Sequence, residues 1–521
     1  MPYTLFQGGS SLQVMDTAGV LTTLTLPTGV VVDSTKTPRM TVFGRYAVVT
    51  NSVSRPITVD PEFTVRVLTP LPPRTTPVLT NTNGGNLSGT YKIKQTFVTL
   101  DEYKQIIAES DFGEESLAVA ITTDYLTAQE LDRSSEDVTA TRLYRTATLG
   151  DTFFRWLDID GNTQVSVSDD LADVDLETAA APILGTPPQL TIVASYRDRL
   201  WGVGDLEVDD LRYTEAQKMY AWPTTNRIPI QKIGSDDRGI TGILARRDAL
   251  AVARTNSLVQ ITGNSNDTFR QVVLSSEVGV EGTDTIAQFR DTIYFLWKDG
   301  VYTWDNGGIN CISDGKVRKW FNSDTYFNRS RFKYAVGRVD PLTNKYQLLL
   351  SAAGSTSLDR WVEFDIKDRT WWGPHKTDAF TPTWMGLMVN SSGVFVPVHC
   401  SSTGHFWQEQ DTRTDDTATG IALDVDGKFH DMGTPDIMKF FGQLSLISKT
   451  QAAGTLSILP YVGDLDVSAG TTISADMTLD RQRLVRLGIG QYCKLVFQHS
   501  TVAQDIELFG YEVPFHEVGR R

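Results

Sequence analysis

Six short segments of the chain repeat one pattern, in which an apolar run is followed by a polar turn, usually with arginine, and then by a second apolar or aromatic run. The six segments are Val42–Val49, Val193–Trp201, Leu244–Val252, Ile286–Phe295, Val336–Leu349 and Leu387–Val396. The last five begin about 42 to 51 residues apart, close to the period of four-stranded propeller blades. The repeat therefore limits the chain to an architecture of short, consecutive β-units.

Each of the last five segments is followed by a further run in which large apolar and polar residues alternate. These runs are Leu211–Thr214, Leu258–Ile261, Val301–Trp304, Trp361–Phe364 and His405–Trp407. Alternation with a period of two is typical of half-buried antiparallel strands. The pattern predicts an all-β protein that contains a β-propeller of about six blades.

Two proline-rich stretches, Val67–Arg74 and Leu184–Pro188, interrupt the repeat. Proline cannot lie in a central strand, so both stretches mark boundaries. A polar stretch, Asp411–Thr417, is interpreted as a linker to a different strand series. The predicted domains are a first propeller unit (1–74), an inserted acidic β-sandwich (75–182), the remaining propeller blades (183–415) and a C-terminal β-sandwich or jelly-roll-like domain (416–521).

The inserted segment has its own strand signals. Gly89–Val98 alternates over its first half, and Ala140–Thr146 and Thr152–Leu157 are separated by a hairpin-length turn that contains glycine. Several short strands over such a length suit one β-sandwich. Leu100–Glu109 is the clearest candidate for a helix, and it is short.

Acidic residues are concentrated in the insert. The whole chain has a net charge of −15, and residues 75–182 contain 19 Asp and Glu against 7 Lys and Arg, a net charge of −12. Such a surface is poorly suited to bind nucleic acid, which requires clustered Lys and Arg. A passage in which DNA slides without sticking could use this sign of charge.

Cysteine spacing and hydropathy exclude several classes of protein. Cys311, Cys400 and Cys493 stand far apart without a CxxC pair, which argues against a zinc site and a disulfide framework and favours buried free thiols. His399 and His405 are interpreted as strand histidines rather than metal ligands. No apolar run approaches the roughly 18 residues of a membrane span. Because Met1–Gln7 lacks a basic region followed by an apolar core, we expect synthesis and folding in a cytoplasm.

One short motif is shared with sialidase propellers. Ser235–Thr241 matches the S-x-D-x-G-x-T core of their turn motif, but Gly242 follows where that motif has Trp. The match occurs once, just before an inferred blade, and the motif is structural even in sialidases. It is therefore interpreted as a turn rather than as the mark of a glycosidase.

Two Asp-Gly segments, Asp158–Asn162 and Asp424–Gly427, resemble calcium loops at first sight. An EF-hand loop needs glycine at its sixth position and glutamate at its twelfth. Here Gly161 comes fourth and Asp169 occupies the twelfth position, so both segments are interpreted as Asp-Gly hairpin turns. An incidental calcium site remains an alternative.

No nucleophile-elbow, P-loop or dinucleotide-binding motif is present in the sequence. Paired carboxylates for glycoside hydrolysis stay open, because sequence does not reveal their separation. The eleven tryptophans, including Trp371 and Trp372, could stack sugar rings, but we interpret them as core residues within and between blades. The sequence thus singles out no catalytic, cofactor-binding or metal-binding residue, and we expect a non-enzymatic protein without a cofactor.

Taken together, these segments resemble the nozzle or hub proteins of short-tailed bacteriophages, also called tail tubular or packaged-DNA stabilisation proteins. The likeness lies in an early blade, Arg45–Asn51 followed by Arg55–Asp60, then an inserted domain, then the remaining blades. The insert itself resembles fibronectin-like modules of phage virion proteins through Gly113–Ser116 and Arg142–Thr146. The resemblance covers nearly the whole chain.

This resemblance implies a structural virion protein in the phage tail. Its subunits would form a homo-oligomeric ring, usually of about six, that extends the portal-adaptor channel, retains packaged DNA and conducts it at ejection. The implied partners are portal-adaptor proteins, tail fibre or spike proteins, and passing double-stranded DNA bound without sequence specificity. Two rival classes are a carbohydrate-binding or glycosidase-like propeller of a virion and a scaffolding propeller of a host cell.

Overall fold

The computed structural model describes residues 3–51, 53–234, 238–315, 317–377, 380–409, 415–416, 419–420, 423–451, 453–500 and 506–520. Strands make up 50% of the protein and helix 3%, in many small antiparallel sheets. The all-β prediction is therefore confirmed. The chain forms two compact units, one of Met1–His375 with Pro382–Trp407 and one of Lys376–Thr381 with Gln408–Arg521.

The first unit begins with two small sheets that share one core. A three-stranded sheet is made of β1 (Thr4–Gly8), β2 (Ser11–Met15) and β3 (Leu21–Thr23), and a four-stranded sheet of β4 (Arg39–Phe43), β5 (Tyr46–Thr50), β6 (Ile57–Val59) and β7 (Val65–Val67). Leu12 and Val14 of the first sheet pack with Val49 and Ile57 of the second. The β1–β3 sheet was not predicted, because its strands are short and β3 is exposed throughout.

The insert folds into two further sheets around a single core. Its elements are β8 (Val78–Tyr91), β9 (Ile93–Leu100), β10 (Ile106–Glu109), β11 (Val119–Gln129), β12 (Ala140–Thr146), β13 (Phe153–Asp160), β14 (Val167–Asp169) and a 3₁₀ turn, Asp173–Asp175. The sheet orders are β10-β9-β12-β13 and β14-β11-β8. Tyr91 and Leu126 from one sheet pack with Ile93, Leu143 and Trp156 from the other.

The strand predicted over Gly89–Val98 and the helix predicted over Leu100–Glu109 are both wrong. Gly89–Val98 is not one strand, because the chain passes from β8 in one sheet to β9 in the other at Lys92. Leu100–Glu109 is not a helix, because Asp101 closes a tight turn by accepting hydrogen bonds from the backbone N–H groups of Tyr103 and Gln105. The chain then returns as β10 beside β9. Carboxylate-closed turns of this kind compete directly with helix.

In the described part of the first unit, five more sheets follow the insert, and each is a meander in which neighbouring strands are consecutive in the chain. Their strands are β15 (Leu190–Tyr196), β16 (Arg199–Gly204), β17 (Asp210–Tyr213) and β18 (Arg227–Pro229); β19 (Gly242–Ala245), β20 (Leu250–Ala253), β21 (Leu258–Thr262) and β22 (Arg270–Ser275); β23 (Ala287–Phe289), β24 (Thr292–Trp297), β25 (Gly300–Asp305) and β26 (Gly308–Cys311); β27 (Val336–Asp340), β28 (Lys345–Leu350), β29 (Arg360–Asp365) and β30 (Thr370–His375); and β31 (Pro382–Val389), β32 (Phe395–Ser401) and β33 (Phe406–Gln408). The connections contain α1 (Arg318–Phe321) and the 3₁₀ turns Thr283–Thr285 and Arg329–Tyr334. No helix among the described residues is long and apolar enough to cross a membrane.

The repeated pattern in the sequence corresponds to a repeated position in these sheets. Each of the six segments forms the hairpin between the first and second strands of a meander, beginning with β4–β5. The five further runs lie on the third strands. In the β15–β16 hairpin, Arg197 and Asp198 both have φ of +42°, which matches the twist of a two-residue hairpin turn. Local pattern therefore located these hairpins correctly.

Successive sheets of the first unit pack on one another. Trp201 of β16 shares a core with Val252 of β20. Each later pair of neighbouring sheets also shares a core, and these cores contain Phe295, Leu348 and Met385 in turn. The last sheet also meets the start of the chain. The rings of Phe6 and Phe406 lie 4.7 Å apart at an angle of 83°, and the Val389 N–H donates to Thr4 Oγ1 at 3.3 Å.

One long-range ion pair links the beginning and the middle of the first unit. Arg39, the first residue of β4, places Nη1 3.0 Å from Asp284 Oδ1 in the connection between β22 and β23. The side chains of Arg39 and Asp284 are only 21% and 13% exposed. Burial raises the pKa of Asp284 to about 6, although the neighbouring Arg39 acts to lower it.

Substitution of Gly185 by alanine tests the close contact between Gly185, where the chain leaves the insert, and the backbone of Trp222. A Cβ atom at Gly185 would lie 2.3 Å from the carbonyl oxygen of Trp222, which is backbone and cannot move aside. The Trp222 N–H also donates to the Gly185 carbonyl at 3.2 Å. We expect Gly185→Ala to lower the free energy of unfolding by about 2 kcal/mol, measured by urea denaturation. Gly386→Ala, where φ is not positive and a Cβ would meet only Trp384 Nε1 at 3.8 Å, should cost less, and equal losses would contradict the close contact.

In the described part of the second unit, two main sheets enclose one core. Its strands are β34 (Asp415–Asp416), β35 (Thr419–Gly420), β36 (Leu423–Asp426), β37 (Ile437–Ser448), β38 (Thr455–Gly463), β39 (Ile473–Asp476), β40 (Arg481–Gly490), β41 (Tyr492–His499), β42 (Leu508–Glu512) and β43 (Phe515–Arg520). The main sheets are β36-β41-β38-β39 and β40-β37-β42, with β43 also paired to β37, and β34 and β35 form a separate two-stranded sheet. Phe441 and Leu446 pack with Ile458, Leu495 and Phe497 between them. The strand series that the sequence predicts in this region is observed, whereas the stretch Asp411–Thr417, interpreted as a linker, lies largely outside the described residues.

Candidate functional site

A charged cleft of about 680 Å³ opens beside the insert. One wall is the face of the β10-β9-β12-β13 sheet that points away from the insert core, and the other includes the loop between β17 and β18. The charged and phenolic lining residues are Lys104, Glu109, Arg142, Tyr144, Arg155, Asp158, Asp160, Glu177, Lys218 and Tyr220. Eight charged and two phenolic side chains therefore face one space.

The period of two along the strands brings these side chains together. Leu143 points into the insert core, so its neighbours Arg142 and Tyr144 project to the opposite face. Arg142 lies directly opposite Thr96 on β9 and Asp158 on β13. The register of three antiparallel strands therefore assembles a row of polar groups that are far apart in sequence.

Glu109 forms the floor of the cleft and is 1% exposed. Its Oε1 accepts hydrogen bonds from Tyr144 Oη at 2.7 Å and from Thr96 Oγ1 at 2.9 Å. Arg142 Nη1 lies 3.8 Å from its Oε2. Burial raises the pKa of Glu109 above its usual range despite these partners, and burial together with the Glu109 charge raises the pKa of Tyr144.

Arg142 continues the network toward solvent through Asp158. Its Nε and Nη2 donate to the two Asp158 oxygens at 2.7 and 2.9 Å, the bidentate geometry that favours Arg over Lys. Arg155 donates to the same carboxylate at 2.7 Å and to Glu177 at 2.6 Å. Burial acts to raise the pKa of Asp158, but the hydrogen bonds and charges of Arg142 and Arg155 together outweigh it and hold that pKa below its usual range.

Strand β10 joins the insert to the meander sheets directly beneath this network. Ile107 packs with Leu68 and Trp222 on one side of the strand, while Ala108 packs with Tyr220 on the other. The hydroxyl of Thr69 donates to the Tyr220 carbonyl at 2.8 Å. Burial raises the pKa of Tyr220, and the nearby Glu109 adds to the increase. Both faces of β10 are thus enclosed, and the loop between β17 and β18 contributes side chains to each.

The arrangement is chemically suited to hold two segments in one geometry. The acidic and basic groups of the cleft balance, and the oxygens of Glu109 and Asp158 face donors of the same network. Removal of Arg142 would leave the carboxylates of Glu109 and Asp158 without their main counter-charge, which costs several kcal/mol. The cleft is therefore best described as an electrostatic clamp that ties β10 to β12 and β13 of the insert, beside the loop between β17 and β18.

The sialidase-like motif falls partly outside the described residues, since Ser235, Asp236 and Asp237 are not among them. Of its remaining residues, Arg238 donates to Glu281 at 2.6 Å. The Thr241 N–H donates to the Ala253 carbonyl at 2.8 Å. These contacts tie a loop to neighbouring strands.

Neither Asp-Gly segment is a hairpin turn, contrary to the prediction. After Asp160 the chain leaves β13 for β14 in the opposite sheet of the insert, and after Asp426 it leaves β36 for β37, again in the opposite sheet. Both turns therefore link two sheets rather than two paired strands. In the described part of the chain, no group of three or more His, Cys, Asp and Glu is placed to hold a metal ion.

The three cysteines are free thiols, as predicted, but only Cys493 is fully buried. Burial raises the pKa of Cys400 and Cys493 to about 11 in each case. Most tryptophans lie wholly or partly inside the sheets, whereas Trp372 is 56% exposed. The core interpretation of the tryptophans thus holds except at Trp372.

Sequence reasoning missed the clamp. Glu109 was placed on a helix, and Asp158 was assigned to a turn. The available signal was the alternation of Arg142, Leu143 and Tyr144, which shows a charged and a phenolic side chain on one face of a strand. Nothing in the sequence indicates that this face is covered by the β17–β18 loop.

Comparison with protein families and with curated proteins found no match to this chain. Its function is therefore inferred from the pattern of its residues and from their arrangement.

Proposed function

We propose that this chain is a structural protein of a bacteriophage virion, a subunit of a tail nozzle or hub ring that extends the portal-adaptor channel, retains packaged DNA and conducts it at ejection. The observation that carries this proposal is the interruption of a meander series after β7 by an acidic two-sheet insert. The insert is attached to neighbouring parts of the first unit through the packing of β10, and the Glu109–Arg142–Asp158 network ties β10 to β12 and β13. Rigid attachment of this kind suits a protein that must withstand the pressure of packaged DNA.

In this proposal the meander sheets of the first unit form a β-propeller. Its six blades are the β4–β7 sheet and the five sheets after the insert, with the β1–β3 sheet lying between the last blade and the first. Three contacts support closure: the Phe6–Phe406 ring pair, the hydrogen bond from Val389 to Thr4, and the Arg39–Asp284 ion pair. The insert is then a fibronectin-like β-sandwich, and the second unit is a C-terminal β-sandwich.

The charge of the insert fits the proposed task. A net charge of −12 over residues 75–182 repels phosphate groups, so DNA that passes nearby is not retained by counterion release. The partners in this proposal are further copies in a ring of about six, portal-adaptor proteins and tail fibre or spike proteins. The protein acts without catalysis or cofactor, is made in the host cytoplasm and resides in the virion tail.

A second candidate, a carbohydrate-binding or glycosidase-like virion propeller, is favoured by one observation. Glu109 and Asp158 share a cleft, and their environments move their pKa values in opposite directions, as occurs for acid and base pairs in catalysis. If this candidate is right, Glu109→Gln abolishes cleavage or binding of a bacterial surface glycan. If the cleft is only a structural clamp, the protein has no glycan cleavage or binding for Glu109→Gln to remove.

Reconstitution tests the nozzle proposal. The purified full chain is mixed with the portal-adaptor complex of the same phage, and the mixture is examined by mass measurement and negative-stain imaging. We expect a ring of copies at the narrow end of the complex. A chain that stays monomeric and never joins the complex would overturn the proposal.

A further inference from the structure

One face of the second unit presents arginines among exposed apolar side chains. Leu484 and Leu487 of β40 pack against the core, whereas the residues between and around them are exposed. We call this surface the arginine face; it consists of Arg481, Arg483, Val485, Arg486 and Ile489. Val485 and Ile489 are 50% and 53% exposed.

Two of these arginines are free to meet an anionic partner. Arg481 lies 3.3 Å from Glu512, but Arg483 and Arg486 have no ion-pair partner among the described residues. Strand β40 pairs with β37 on one side only, so it is an edge of its sheet. A partner that approaches this edge would meet unpaired positive charge beside apolar surface.

One end of the insert presents acidic side chains among exposed apolar side chains. Leu117, Leu149 and Val174 are among the most exposed apolar side chains of the described chain, at 86%, 87% and 90%. The N–H of Thr148 donates to Asp173 at 2.8 Å, which holds the loops of Leu149 and Val174 together. Lys92 lies 3.4 Å from Glu115 and 4.0 Å from Asp151, which joins the third loop to them.

Carboxylates outnumber cations around these three apolar side chains, where Lys92 and Lys94 both lie near Glu115. The surface that we call the acidic end consists of Glu114, Glu115, Leu117, Leu149, Asp151, Val174 and Asp175. The side chain of Asp151 is fully exposed. The arginine face and the acidic end are therefore complementary in charge. Each also contains apolar side chains that are exposed to solvent in a single copy.

We propose that the acidic end of the insert in one copy docks on the arginine face of the second unit in a neighbouring copy. The contact joins two different surfaces, so it is heterologous, and a repeated heterologous contact closes into a ring when its rotation permits. The inference rests on the proposed function in supposing that copies form a ring. It adds which surfaces meet and predicts that salt weakens their contact.

Charge reversal on the full chain tests this docking. The variants are Arg483→Glu with Arg486→Glu, Asp151→Arg with Asp175→Arg, and all four changes together. Self-association is measured by sedimentation velocity in about 50 mM and about 500 mM NaCl, since screening at the higher concentration is much stronger. We expect each pair of changes to weaken association at least about tenfold at low salt, because like charges then face each other. The fourfold variant should regain association, because the two charge patterns have been exchanged.

The matched control is Lys36→Glu with Lys428→Glu, which changes the net charge as much as the arginine reversals do, at two exposed positions outside both surfaces. We expect it to associate like the unaltered chain. Melting temperatures of all variants should stay unchanged, because the substituted side chains are exposed. If the fourfold variant does not recover, or if the control weakens association equally, the proposed contact is overturned.

The outcomes separate this inference from the proposed function. A ring that joins the portal-adaptor complex but ignores both reversals overturns the docking contact and leaves the nozzle proposal intact. Salt-sensitive association that the fourfold variant restores, in a chain that never joins the complex, supports the contact and overturns the nozzle proposal. A chain that does not self-associate at either salt concentration, alone or mixed with the portal-adaptor complex, also overturns the contact. The β40 arginines would then only protect a sheet edge.

Discussion

Replacement of Arg142 by methionine is expected to lower the free energy of opening the insert by about 3 to 5 kcal/mol. Only 8% of the Arg142 side chain is exposed, and it faces the carboxylates of both Glu109 and Asp158. Without the guanidinium, two carboxylates of the cleft lose their main counter-charge. Hydrogen exchange of the β9 and β12 amides measures this opening directly.

Arg155→Met is the matched control for this prediction. Arg155 donates to the same Asp158 carboxylate, but its side chain is 38% exposed, and its second partner, Glu177, is 52% exposed. Exposed pairs contribute about 0 to 1 kcal/mol, so its loss should be small. Equal losses in the two variants, or a loss below about 1 kcal/mol for Arg142→Met, would contradict the clamp assignment.

The stability of the first unit is expected to rise as pH falls, through the buried Asp284. In the folded protein burial raises the pKa of this carboxyl from 3.8 to about 6, so above about pH 6 the fold holds a charge that the unfolded chain would solvate better. As pH falls below 6 the folded state takes up the proton first, and the stabilisation is complete below about pH 4. The shift corresponds to about 2 to 3 kcal/mol.

Asp284→Asn should remove this pH dependence. We expect the difference in unfolding free energy between the unaltered chain and the variant to change by about 2 kcal/mol between pH 8 and pH 4.5, in favour of the unaltered chain at low pH. The two proteins are compared because Glu109, whose pKa is also raised, changes the unfolding free energy of both in the same direction. Its contribution cancels when one free energy is subtracted from the other. Urea denaturation across this pH range measures the difference.

Asp476→Asn is the control for the pH experiment. The backbone N–H and the hydroxyl of Thr478 hold the pKa of this exposed carboxyl below 3.8. Its contribution is therefore present above pH 3.8 and is lost only as pH falls through its lowered pKa. The difference in unfolding free energy between the unaltered chain and Asp476→Asn should therefore not change between pH 8 and pH 5. If the difference for Asp284→Asn is also constant with pH, the buried ion pair is contradicted.

The hairpins of the meander sheets were predictable because every determinant of a hairpin is local. Val193–Trp201 contains two alternating runs and the two turn residues between them, and no distant residue is needed to place them. The β10 segment differs, since Ile107 and Ala108 pack on opposite sides of the strand. A strand buried on both faces loses its alternation, which is why the helical interpretation failed there.

The amino-acid sequence alone determined the all-β class, the positions of the repeated hairpins and the acidity of the insert, because period, turn chemistry and charge are properties of neighbouring residues. Only the tertiary structure decided that Glu109, Arg142 and Asp158 share one cleft and that Arg39 meets Asp284. Those contacts depend on strand register and on the packing of one sheet against another. Both are set by the burial of apolar side chains from distant parts of the chain, which no local pattern encodes.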